Sequence, residues 1–91
     1  MKVTTKSGFK CEINDKCLDD WRFARAVARS HSNVESERLG AAVDLVSLIL
    51  RENEEPYYDY VSGKHDGIVP EDIVTEDLTS IIEQIKALKN S

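Results

Sequence analysis

Two cysteines, two histidines and four pairs of adjacent carboxylates are the residues of this 91-residue chain best suited by type to chemistry. Cys11 and Cys17 have five residues between them, and His31 and His65 stand far apart, which matches no familiar zinc spacing. A nucleophilic pairing of Cys17 with a histidine needs an exposed, activated thiolate, and nothing in the sequence supplies one. The pairs Asp19-Asp20, Glu54-Glu55, Glu71-Asp72 and Glu76-Asp77 would suit acid-base work or a cation only if both members converged. Neighbouring residues of a helix point about 100° apart, and two of these pairs sit where a helix N-terminus favours anions, so the expected role is structural. Gly8, Gly40, Gly63 and Gly67 are scattered and form no phosphate-cradling loop. No catalytic residue, cofactor site or metal-ligand set emerges, and an enzyme is not expected.

The elements that would position any binding surface belong to one domain, residues 1 to 91, with a single thin core. A 41% apolar and 32% charged composition is that of a globular chain. Its longest nearly uncharged run, Leu39 to Leu50, is too short to span a bilayer. The basic N-terminus lacks the apolar stretch of a signal peptide, so a cytoplasmic protein with reduced cysteines is expected. The net charge of -5 is unevenly spread, with +3 over residues 1 to 30 and -8 over the rest. This argues against broad nucleic-acid binding, which needs a dominant basic face. It suits either partner electrostatics or an ordinary solvated surface.

Alternation of Phe9, Cys11 and Ile13 with Lys10 and Glu12, behind the turn residues Ser7-Gly8, predicts a hairpin with strands near 2 to 6 and 9 to 13. A two-stranded hairpin is marginal alone, so its Phe9/Cys11/Ile13 face should lie on a helix. Asn14-Asp15 are N-cap candidates for a first helix at about 16 to 30. Cys17, Trp21, Ala24 and Ala28 would form its inward stripe, with Trp21 a buried anchor, and Arg22, Arg25 and Arg29 would line up beside it. Phe23 points away from that stripe, towards another element or a partner.

Ser32 or Asn33 is expected to cap a second helix, about 35 to 52, whose polar strip is only Gly40, Asp44, Ser47 and Arg51. Leu39, Val43, Val46 and Leu50 face one way, and Leu45, Leu48 and Ile49 the other. Such a helix is either central to the core or part of an interface for self-association or client binding. A short third helix is read at about 56 to 62, from Pro56 at its start to Gly63 as the residue after its end. Pro70 opens a last helix at about 70 to 89, with an apolar seam of Val74, Leu78, Ile81, Ile85 and Leu88. The expected fold is therefore α+β and mostly α, a short N-terminal β-hairpin packed on a small bundle of three to four helices. The candidate partner-binding residues are Phe23, Leu45, Leu48, Ile49 and Leu88.

The order of features, "TKSGFKCEI", then "LDDWR", an apolar middle helix, "DGIVP" and a final amphipathic helix ending "LKNS", resembles the tail assembly chaperones of long-tailed bacteriophages and prophages of Gram-positive hosts. The resemblance is strongest over residues 4 to 22 and 66 to 91. It implies a non-enzymatic protein without cofactors that binds the tape measure protein, keeps that aggregation-prone helical polypeptide soluble and helps recruit major tail protein. Such a protein works in the host cytoplasm and is not expected in the mature virion, nor on nucleic acid or membrane. The alternative class is a small phage-encoded regulatory or inhibitory module that uses the arginine stripe or the acidic surface to bind protein.

The resemblance also implies two product lengths, the longer made when ribosomes slip frame near the end of the shorter. Lys89-Asn90 can be encoded AAA-AAC, which completes a slippery heptamer if the Leu88 codon ends in A. The ordinary alternative is that Lys89 complements the helix dipole and Asn90 suits a helix end.

Overall fold

The computed structural model describes residues 1–90. Strands β1 (Lys2–Thr4) and β2 (Lys10–Glu12) pair antiparallel with Val3 opposite Cys11. Backbone hydrogen bonds from Thr5 N to Phe9 O and from Ile13 N to Met1 O carry the pairing one step further at each end. The connection turns through Gly8 at φ +103°, a left-handed conformation that side chains beyond glycine rarely adopt. Residues on one face of this ribbon, Val3, Thr5 and Ile13, are buried, and Phe9 and Cys11 pack beside them. As expected, the hairpin rests on helices.

Those helices are α1 (Trp21–Arg29), α2 (Glu35–Leu50), α3 (Glu54–Lys64) and α4 (Glu71–Lys89). The architecture is thus α+β and mostly α, as the periodicities predict. Their shared core contains Tyr57 and Val61 of α3, Ile49 and Leu50 of α2, and Ile81 and Ile85 of α4, all almost wholly buried. The hairpin joins it through Phe9, whose ring meets Tyr57 edge-on at 5.4 Å. Gln84 of α4 clasps the strand by donating to Thr4 O at 2.8 Å and accepting from Thr4 N at 3.3 Å.

The first helix differs from its expected form. Residues Cys17–Asp19 make a single 3-10 turn, the chain extends at Asp20 (φ -71°, ψ 131°), and only then does α1 begin. Asp20 is the N-cap, its carboxylate accepting from Arg22 N at 2.8 Å. Arg22 also donates side-chain hydrogen bonds to that carboxylate, which holds Asp20 at about 2. The break rotates everything after it, so Cys17 is buried while Trp21 is 79% exposed. Ala24 and Ala28 are exposed as well, and the inward face is instead Phe23, Ala26 and Val27. Trp21 is not a core anchor.

Two other boundaries move for backbone reasons. Helix α2 ends at Leu50 because Arg51 adopts φ 50°, ψ -121°. At its start Val34 occupies the N-cap position without a side-chain cap, and Ser32 Oγ accepts from Val34 N at 3.1 Å just upstream. Helix α3 runs through Gly63 and stops at Lys64, and the reversal falls on Asp66 (φ 57°) and Gly67 (φ 82°), where Gly67 N donates to Ser62 O at 2.8 Å. Pro56 lies inside the first turn of α3, where its missing N–H is no loss.

Candidate functional site

An apolar groove of about 460 Å³ lies between the middle of α2 and the first two turns of α4. One wall is Leu39, Ala42 and Val43 of α2, and the other is Val69 with Val74 and Thr75 at the start of α4. Val46, Tyr58 and Leu78 form its floor. Leu39 is 54% and Val43 55% exposed, an unusual state for two large aliphatic side chains one turn apart. The Tyr58 hydroxyl is held by donation to Glu54 at 2.7 Å. Burial, with Glu54 beside it, pushes the Tyr58 phenol up to about 12.

The edge of the groove is acidic. Glu71 lines it, and Asp72 and Glu76 continue the same exposed strip along α4. Glu76 is bridged by Lys6 at 3.3 Å, whereas Glu71 and Asp72 have no ion-pair partner among the described residues. Both favour the positive end of the α4 dipole, which explains their position without neutralising them in solvent.

The residues expected from the sequence to bind partners are not gathered into one surface. Ile49 is 1% exposed and belongs to the core, which removes it as a contact residue. Phe23 and Leu45 are half-buried against that core between α1 and α2. Leu48 is half-buried beside Arg22, Arg25, Asp44 and Ser47. Leu88 is partly exposed at the far end of α4. The groove is instead built on Leu39, Val43 and Val46 from the other apolar direction of α2, the row whose fourth member, Leu50, is buried in the core. That row is visible in a helical projection, but a projection does not say which row a neighbouring helix covers.

A second cluster, of polar side chains, lies under the hairpin. Asp77, 1% exposed, accepts from Ser7 N at 2.8 Å, Ser7 Oγ at 2.6 Å and Tyr57 Oη at 2.7 Å. Burial, reinforced by the carboxylate, raises the Tyr57 phenol far above its ordinary range. A carboxylate beside a serine resembles part of a nucleophilic relay, but Ser7 donates its proton directly to Asp77 and no histidine lies between them. Ser7 O is itself engaged by Tyr60 Oη at 3.1 Å and Lys64 Nζ at 3.4 Å. The cluster therefore fastens the hairpin loop to α3 and α4.

Burial raises both cysteine thiols, and for Cys17 it outweighs the nearby Arg51 and Lys89. Neither is poised as a thiolate. No group of three His, Cys, Asp or Glu among the described residues is arranged to hold a metal ion. No helix among them is long and apolar enough to cross a membrane. No family model matches the chain, and neither a curated protein nor a solved structure is significantly similar to it.

Proposed function

We propose that this chain is a non-enzymatic tail assembly chaperone that binds and solubilises the tape measure protein and helps recruit major tail protein. The observation that carries the reading is the α2/α4 groove. Two exposed aliphatic residues flank an apolar floor, the form of site that accepts the apolar face of an amphipathic helix. A tape measure protein is a long helical polypeptide rich in such faces, and shielding one of them lowers its tendency to aggregate. The acidic surface around the groove would keep the complex soluble. The resemblance of residues 4 to 22 and 66 to 91 to such chaperones supplies the identity of the client.

The regulatory alternative uses the arginine stripe of α1 or the acidic surface, and the first of these is weakened. Arg22 is bound to Asp20, and Arg29 to Asp44 at 3.0 Å, so two of the three are already engaged by acids. That weighs towards the chaperone.

Co-expression tests it. A tape measure protein co-expressed with this chain should be recovered soluble, in complex, only when the chain is present. A tape measure protein equally soluble alone, or one that never retains the chain, would remove the reading.

A further inference from the structure

We infer that the groove between α2 and α4 takes a short cationic amphipathic helix, with apolar residues at i, i+3 or i+4 and i+7, and lysine or arginine on its flanks. The inference rests on the proposed function for the place of docking, and goes beyond it in naming the chemistry of the docked segment.

Three observations carry it. The first is length. The apolar walls run from Leu39 to Val46 on α2 and from Glu71 to Leu78 on α4, about 10–12 Å of helix at 1.5 Å per residue, which is the extent of roughly two helical turns. Two turns present three or four apolar side chains on one stripe, and the groove offers them Leu39, Val43, Val74 and a floor of Val46 and Leu78.

The second is charge. Glu71 stands in the groove wall and Asp72 continues from it, both exposed and without an ion-pair partner among the described residues. On α2, Glu35 lies one turn before Leu39 and is likewise exposed. Arg38, next to Leu39 in the chain, donates from its guanidinium to Ser32 O at 2.8 Å. A helix in the groove thus meets Glu71 in its wall, with Asp72 and Glu35 exposed near the starts of α4 and α2, and flanking lysines or arginines would answer them.

The third concerns the competing occupant, a second copy of this chain. Glu71 lines the same groove as Leu39 and Val43, so a pairing of two copies through that groove would place a Glu71 carboxylate from each copy at the interface, in a chain whose residues 31 to 91 already carry -8. Like charges at an interface disfavour that partner, so the same carboxylates that attract a cationic helix discriminate against self-association.

The test uses the full chain and two fluorescein-labelled synthetic peptides of about 18 residues with the same leucine stripe, one flanked by lysine and the other by glutamate. Anisotropy titrations should show the lysine peptide binding at least about tenfold more tightly at low salt, with most of the preference lost near 0.5 M salt. The variant Leu39→Ser/Val43→Ser removes apolar walls without altering charge, and should weaken the lysine peptide by about tenfold or more. Glu71→Lys/Asp72→Lys should reverse the preference. All four positions are exposed, and circular dichroism checks that each variant is folded. Equal binding of the two peptides at low salt, binding indifferent to the Leu39/Val43 change, or a stable dimer in sedimentation that this change dissolves would each overturn the inference, as would failure of both peptides to bind. A client retained undiminished by Leu39→Ser/Val43→Ser would leave the chaperone reading standing without this groove. Lysine-peptide binding at the groove, with no retention of the tape measure protein, would do the reverse.

Discussion

The Tyr57 hydroxyl donates to Asp77 Oδ2 at 2.7 Å across the buried interface of α3 and α4. Asp77 is also the acceptor for both the backbone and the side chain of Ser7, so a single carboxylate joins the hairpin loop to two helices. Its partners satisfy it, and no buried side-chain nitrogen or oxygen among the described residues lacks a partner. Tyr57→Phe removes one donor while keeping the ring that packs on Phe9. The expected loss is about 1–3 kcal/mol by chemical denaturation. Asp77→Ala should cost more, since it removes the acceptor of three donors at once, the buried Tyr57 hydroxyl among them. A Tyr57→Phe midpoint equal to that of the parent would show that the bond adds no net stability.

The same pair predicts a response to alkali. Tyr57 is raised above its ordinary value by burial and then by Asp77, and Tyr58 by burial and then by Glu54, to about 12. A phenol whose folded pKa exceeds its unfolded one binds its proton more tightly in the native state. Its contribution is complete below the unfolded value of about 10 and declines as pH rises above it. Melting temperature should therefore fall from pH 10 towards 12, and the fall should be shallower in Tyr57→Phe. Parallel profiles for parent and variant would refute the assignment.

Trp21 is the tryptophan of a small domain and yet stands in solvent. Trp21→Ala should change stability by no more than about 0.5 kcal/mol, the usual range for a surface site. Iodide should quench the indole of the native protein nearly as well as that of the unfolded chain. A protected indole, or a loss of several kcal/mol, would contradict the placement.

Glycine substitutions should separate by sign. At Gly40, inside α2, an added Cβ would meet only the Arg29 Nη2 tip at 3.0 Å, which can move aside. Gly40→Ala should stabilise by roughly 0.5–1 kcal/mol through helix propensity. At Gly8 the backbone is left-handed and a Cβ would come within 2.8 Å of the Tyr60 hydroxyl. Gly8→Ala should destabilise by about 1–3 kcal/mol. Thermal melts of the two variants decide both signs.

Arg51 offers the converse case. Its φ of 50° is one that glycine enters without strain, so Arg51→Gly should stabilise by about 1 kcal/mol despite glycine's greater freedom when unfolded. A less stable variant would mean that contacts of the arginine side chain outweigh the backbone strain.

Local chemistry alone determined much of this protein. Ser7-Gly8 and the alternation after them specify the hairpin, because a left-handed turn and a period of two depend on neighbours in the chain. Pro70 and the spacing from Val74 to Ile85 specify α4 and its buried seam for the same reason. Tertiary structure decided the rest. A five-residue delay in starting α1 rotated Trp21 outwards, since each residue displaced turns a helical face by about 100°. Helix α2 has apolar residues in two directions, and only the packing of its neighbours settled that Ile49 is covered while Leu39 and Val43 are left open. Asp77 reads from sequence as half of an acidic pair on a helix surface. Its burial depends on Ser7 and Tyr57, which are 70 and 20 residues away along the chain, and no local pattern encodes a meeting at that distance.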